Sequence, residues 1–284
     1  KIDDKTARPG QNRRRKGEDI AIGDEILAKG HRLRAQALGY ISSSGIKEVE
    51  VYRPLKIAIF STGDELLEPG QTPEPAKIFN SNRYLLSGAI PQLGFELIDM
   101  GRVEDDFDAT LSALKKAEKQ ADVVMTTGGV SVGEEDHVKS AVEALGSLTL
   151  WQVKMKPGKP LAFGKVGETP FIGLPGNPVS AFSAFYLFAR PFLLKMQGMA
   201  NFCLQPYWLA ADFNWTKPSF RREFVRVKRV NDSDTKQTRL ALFSHQGSGV
   251  LTSTVWADGF AVIPEDTVVN QGDLVAFYPF NDMI

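Results

Sequence analysis

The chain has 284 residues, 43% of them hydrophobic and 24% charged, and its lysines plus arginines equal its aspartates plus glutamates at 34 each. That length and balance fit one large domain with smaller companions and exclude a disordered chain. No global field draws it to nucleic acid or to anionic lipid, so any anion site must be local. A single cysteine, Cys203, excludes an internal disulfide framework, and between Phe202 and Leu204 it reads as a small apolar residue rather than a nucleophile. No apolar run reaches membrane-spanning length, and the basic start RPGQNRRRKGED lacks the apolar stretch of a signal peptide, so a cytoplasmic protein with no membrane partner is expected.

In chain order, the stretch up to Asp19 is polar and starts on Lys1 rather than methionine, so the first domain is expected to be incomplete. Residues 20–50 predict a small α+β piece with a helical run near Ala35 to Tyr40, bounded by Gly30 and Gly45. Pro54 then marks a boundary, because proline holds the preceding residue extended. From there strands are predicted at Lys56 to Phe60, Glu96 to Met100 and Asp122 to Thr126. Helices are predicted between and after them, at Arg83 to Leu93, Asp108 to Lys119 and Asp136 to Leu145. Leu86, Ala89, Ile90 and Leu93 recur at helical spacing, as do Val138, Ala141, Val142 and Leu145, although Pro91 would distort the first of these helices.

Strands alternating with helices of this length imply right-handed crossovers and an α/β domain built on a mainly parallel sheet, covered on both faces in three layers. VKMKPGKPLAFGKV predicts two strands joined by a proline-glycine turn, and GLPGNP opens one long apolar helix from Val179 to Met196. Beyond Gln205, short alternating runs at Phe224 to Val230, Arg239 to Phe243, Phe260 to Pro264 and Leu274 to Tyr278 predict a small C-terminal β domain. The expected domains are residues 1–53, 54–204 and 205–284.

Ligands of open parallel sheets bind beyond the carboxyl ends of the strands. Those exits carry STGDEL, GRVEDD and TGGVSVGEED, with KPGKP and GLPGNP after the later strands, and so gather Asp64, Glu65, Asp105, Asp106 and Asp136 on one edge with Lys156 and Lys159. Such acids repel one another unless protonation, lysine or a cation relieves them, and magnesium, held by oxygen ligands and substrate phosphates, suits the place. Taken singly, Asp106 or Asp108 and Asp136 serve equally well as helix caps, and Asn177 as the cap of the last helix. TGGVSVG can aim backbone amides at an anion or simply make a tight turn, and KPGKP can be an anion clamp or a solvated hairpin. His31, His137 and His245 are too scattered for a transition-metal site, and His137 is expected to face solvent.

STGDEL, TGGVSVGEED, KPGKP and GLPGNPVSA, in that order, resemble the molybdopterin molybdenumtransferases, the family of bacterial MoeA and the E domain of gephyrin. GQNRRRKGEDI and SHQGSGVLTS resemble the family's lead-in and C-terminal loop. The resemblance implies insertion of molybdate into adenylylated molybdopterin (molybdopterin-AMP) with release of AMP, supported by Mg2+. It further implies a homodimer and a contact with the molybdopterin adenylyltransferase.

Matched position by position, the resemblance gives catalytic roles to Asp19, Glu65, Asp105, Asp136 and Lys156, with Glu65, Asp105 and Asp136 on the metal. It assigns ligand binding to Arg14, Thr62, Gly63, Gly128, Gly129, Ser131, Gly133, Lys159, Pro175, Asn177 and Ser248, with Arg222, Arg226 and Ser248 reaching a partner's site. Where many members carry lysine this chain has Gln152; Lys154, two residues on along a strand, would share its face, and whether it takes over is left open. A molybdopterin adenylyltransferase and a molybdopterin-binding scaffold are the competing readings; the flanking domains argue against the first.

Overall fold

A computed structural model describes residues 8–129, 137–231 and 237–284, with the backbone alone for Leu150 and Trp151. The chain divides into two compact units, Lys1–Tyr52 with Gly198–Asn201 and Arg53–Gln197 with Phe202–Ile284.

In the first unit, helix α1 (Ala35–Ser43) buries Ala37 and Ile41. Nine residues do not hold a helix alone, so this one depends on that small buried face. Residues 198–201 return to close on Gly30, whose oxygen accepts from Ala200 N at 3.0 Å. A Cβ at Gly30 would lie 2.6 Å from the Gly198 oxygen, and its φ of +85° is one that glycine alone adopts freely.

The second unit opens with β1 (Lys56–Thr62), the short pair β2 (Leu66–Leu67) and β3 (Ile78–Phe79), α2 (Ser81–Gln92), β4 (Glu96–Val103), α3 (Phe107–Gln120), β5 (Val123–Thr127) and α4 (His137–Leu145). It continues with β6 (Gly146–Gln152), β7 (Met155–Lys156), β8 (Pro160–Val166) and β9 (Thr169–Leu174). The first sheet runs β4-β1-β5-β9-β8-β6; the first four strands are mutually parallel, and β8 is antiparallel to both its neighbours. Side chains alternate along β1, so Ala58 and Phe60 join Leu114 and Ala117 of α3 and Val138 and Val142 of α4 in one core. Ile57 and Ile59 face the other way, toward the layer that α2 helps to form. Fully burying a side chain such as Phe60 or Phe171 contributes about 1.5–3 kcal/mol, so this core anchors the sheet on which the loops sit.

The predicted long helix is present but interrupted: α5 (Pro178–Ala184) passes through a π-helical stretch, Phe185–Ala189, into α6 (Arg190–Met196). Pro191 explains the widening, since it has no N–H to give and its ring crowds the preceding turn. Pro91 is tolerated for a different reason: it lies in the last turn of α2, which ends one residue later.

The C-terminal part consists of β10 (Tyr207–Ala211), β11 (Arg222–Asn231), β12 (Thr238–Leu242), α7 (Thr252–Trp256), β13 (Gly259–Ile263) and β14 (Leu274–Pro279). The order β12-β10-β14-β13-β11, closed by pairing of β12 with β11, makes a five-stranded barrel filled by Val225, Val227, Leu240, Ala261 and Phe277.

KPGKP departs from expectation. β7 does not form a hairpin with β8; it pairs in parallel with β11, Lys156 opposite Glu223, while β8 stays in the first sheet. The proline-glycine turn therefore connects two sheets. Phe182 packs against Phe260 and Phe280, and the buried Arg190 guanidinium donates to the Met283 and Asp282 oxygens.

Candidate functional site

With β4 on one side of β1 and β5 on the other, the chain reverses direction across the sheet at β1, and an open sheet leaves a crevice at that point. A cleft of about 640 Å³ lies there, lined among others by Thr62, Glu65, Asn82, Gly129, Asn177 and Ser180. Gly128 and Pro175 also border it, and Gly249 reaches it from the C-terminal part.

The floor is built by close approach. Gly128 and Gly129 have φ of +85° and +61°; a Cβ on the first would lie 2.7 Å from the Thr62 oxygen, and on the second 2.4 Å from Val138 Cγ2. Only glycine fits both positions. Gly128 N is already committed to the Leu174 oxygen at 3.2 Å, so this amide is not a free anion donor as the turn pattern suggested. Ser131, Gly133 and Asp136 lie outside the described residues.

Among the described residues that line the cleft, Thr62 and Asn82 each have a buried polar atom without a partner. Thr62, 3% exposed, has no partner for Oγ1; Asn82, 7% exposed, donates Nδ2 to the Gly176 oxygen at 2.7 Å but has nothing on Oδ1. An unsatisfied buried polar atom costs about 1–3 kcal/mol, a cost that a bound ligand removes. The adjacent Ser61 hydroxyl is satisfied, with Oγ 2.9 Å from Thr127 Oγ1.

Four of the five acids expected on one edge are described, and three of them, Asp64, Glu65 and Asp106, act on the fourth, Asp105. Burial pushes the Asp105 carboxyl above the ordinary range; the charges of Asp64, Glu65 and Asp106 push the same way, and His137 opposes them. The exits of β1 and β4 thus share one electrostatic neighbourhood, and the half-buried His137 at the start of α4 acts on it. Gly63, with φ of +137°, lies so close to the Glu65 carboxylate that a Cβ would approach Oε2 to 2.6 Å. At Asp106 the capping role is real: Oδ1 accepts from Asp108 N and Ala109 N at 2.8 and 3.0 Å. Asn177 occupies the cap position of α5 without a side-chain cap bond, which leaves its amide available to the cleft.

Among the described residues no group of three or more His, Cys, Asp or Glu side chains is arranged to hold a metal. Glu65 and Asp105 offer two carboxylates in one electrostatic neighbourhood, a number of protein ligands that magnesium can take.

Lys156 Nζ lies 3.1 Å from Glu223 Oε2, and Lys159 is exposed. Lys154 lies beyond the end of β6, which stops at Gln152, and its ammonium sits 5.9 Å from the Phe220 ring centre. Arg222 pairs with Glu265 at 3.1 Å. Arg226 is 1% exposed and burial lowers its pKa to about 10 despite the nearby Glu223. Its guanidinium donates to Ser253 Oγ and the Gly247 oxygen at 3.0 and 3.2 Å, and Gln246 brackets its backbone. These bonds fix loop 244–249, whose Ser248 oxygen accepts from Val179 N of α5 at 2.9 Å. Arg14 and Asp19 are exposed residues of the first unit. Cys203 is exposed rather than an apolar filler.

Sequence reasoning missed Asn82 and Ser180. SNR at the start of α2 and PVSA at the start of α5 look like ordinary helix openings, and only the sheet order turns both toward the crevice.

Residues 58–195 match the model of a probable molybdopterin binding domain, 209–280 that of the MoeA C-terminal region (domain IV), and 1–45 that of the MoeA N-terminal region (domain I and II). A molybdopterin molybdenumtransferase of Haemophilus influenzae is 38% identical over 98% of this chain and 69% of its own length. The chain belongs to the molybdopterin molybdenumtransferase family. A putative molybdopterin biosynthesis protein of Methanocaldococcus jannaschii is 34% identical over 96% of the chain and 67% of its own length. The crystal structure of a molybdopterin biosynthesis MoeA protein from Pyrococcus horikosii superposes with a TM-score of 0.76 at 33% identity, over 93% of this chain and 64% of that one. The chain thus spans about two thirds of the length of these family members. No helix among the described residues is long and apolar enough to cross a membrane.

Proposed function

We propose that this chain inserts molybdate into adenylylated molybdopterin and releases AMP, forming molybdenum cofactor. The observation that carries the reading is the cleft at the sheet's reversal point, lined by Thr62 and Asn82, each with a buried polar atom that has no partner among the described residues, and by Glu65, one of the acids that act on the partly buried Asp105. A neutral polar wall beside an acidic rim suits a ligand that is part heterocycle and part phosphate.

Glu65, Asp105 and Asp136 would hold Mg2+ beside the substrate phosphates. When bound, the ion neutralises charge on the departing nucleotide. Lys156 and Lys159 offset the charge of molybdate or phosphate, Lys156 from the position fixed by Glu223. Thr62, Gly63, Pro175 and Asn177 orient the pterin, Gly128 and Gly129 with Ser131 and Gly133 let it approach the backbone, and Ser248 closes the side from loop 244–249. Arg14 and Asp19 complete the site in a homodimer, the protein works in the cytoplasm, and it takes its substrate from a molybdopterin adenylyltransferase.

The test is molybdate-dependent release of AMP from adenylylated molybdopterin by wild type and Asp136→Asn. The reading expects turnover by wild type and its loss in the variant. Equal rates would remove Asp136 from the mechanism, and no release by wild type would remove the activity. Incubation with molybdopterin and ATP should leave ATP intact, because consumption would mark an adenylyltransferase instead.

A further inference from the structure

We infer that Asn82 is a specificity-determining residue of the cleft, whose Oδ1 accepts a hydrogen bond from an amino N–H of the bound substrate's heterocycle. The inference rests on the proposed function and goes beyond it by naming which part of the substrate this residue reads.

The orientation of the amide decides its chemistry. Asn82 Nδ2 donates to the Gly176 oxygen at 2.7 Å, and a carbonyl oxygen accepts only from a donor. That bond fixes the nitrogen toward Gly176, so the atom left over is Oδ1, an acceptor without a partner. An acceptor cannot bind the oxygens of molybdate or of ionised phosphate, which are acceptors themselves. Its match is an N–H, and the exocyclic amino group supplies one in both organic parts of the substrate, the pterin and the adenine. Thr62 Oγ1, the other unpartnered atom at the cleft, is a hydroxyl that can donate or accept, so it does not discriminate. Asn82 does.

Its setting makes the preference steep. Asn82 is 7% exposed, so water does not compensate a missing partner, and a buried group left unpaired rejects a ligand that lacks its complement. The residue sits at the start of α2, behind Asn80, whose side chain caps the helix by accepting from Arg83 N at 3.3 Å. Asn80 therefore has a structural task, whereas Oδ1 of Asn82 has no partner among the described residues.

The test uses stable probes in place of the whole substrate. Equilibrium binding is measured for two pairs that differ by the amino group: pterin against its 2-oxo analogue lumazine, and AMP against purine riboside monophosphate. Inorganic phosphate is the control. In wild type, one pair should differ by about tenfold or more, and the pair that does identifies the heterocycle. In Asn82→Leu the same pair should bind alike, with phosphate affinity within about twofold of wild type. Wild-type indifference to both amino groups, or an equal loss of phosphate binding in the variant, overturns the inference. If Asn82→Leu does not fold, the wild-type comparison still decides it. Failure of the proposed function is a separate result, namely no molybdate-dependent AMP release by wild type.

Discussion

Lys156 spends its charge on a residue of the other sheet: its Nζ is 3.1 Å from Glu223 Oε2, and Glu223 is 3% exposed while the Lys156 side chain is 44% exposed. The two stand opposite each other in the β7–β11 pairing. Glu223→Gln should cost about 1–2 kcal/mol, less than the 3–5 of a fully buried pair because Lys156 remains half in water. It also releases the ammonium from its fixed place. We expect molybdate KM to rise on the order of tenfold with a smaller change in kcat, and Glu223→Asp to recover part of it. An unchanged KM would show that Lys156 is held for stability alone.

Asp122 gives a pH prediction. Hydrogen bonding to the Arg53 guanidinium, at 2.6 Å to each oxygen, holds its carboxyl below the usual range, and Lys56 N adds a bond at 2.8 Å. A carboxylate with a lowered folded pKa contributes stability that is present above its unfolded pKa of about 3.9 and disappears as pH falls through the folded value. Asp122→Asn should therefore lower Tm at neutral pH, and the gap from wild type should close in acid. Thermal melts across that range check it; a gap independent of pH would mean that the lost stability does not come from ionisation of Asp122.

At Gly129 the backbone and the cleft make the same demand. Gly129→Ala would set a Cβ 2.4 Å from Val138 Cγ2 and 2.8 Å from Thr62 Oγ1, at φ +61°. Overpacking and left-handed strain together should destabilise by about 2–4 kcal/mol. Because the methyl also covers the Thr62 hydroxyl, ligand binding should weaken even well below the new melting temperature. Denaturant unfolding and pterin binding measured on the same variant separate the two effects.

The α/β core was legible because its period was clean: Val138, Ala141 and Val142 are all buried, as the spacing of α4 required. The C-terminal strands announced themselves by alternation, yet their closure into a barrel depends on β11 pairing with β12 and β13 at once, which no local pattern encodes. The acids at the strand exits could be placed on one edge from topology alone. What the sequence hid was the direction of single side chains. KPGKP looks like a hairpin because proline-glycine turns usually join neighbours, and here the following strand belongs to another sheet. Lys154 looks interchangeable with position 152 because two residues share a strand face, but the strand stops before it. Asn82 reads as a helix opening, and its meaning comes from Gly176, which is distant in sequence.

β7 also limits how the substrate can get in. A rigid swing of the barrel away from the sheet domain would have to unzip the β7–β11 ladder, expose the Glu223 carboxylate and pull Ser248 off Val179, all before the doorway widened. Entry through local movement of loops around a fixed frame is far cheaper. Cross-linking the two sheets at their seam should consequently leave ligand association rates nearly untouched.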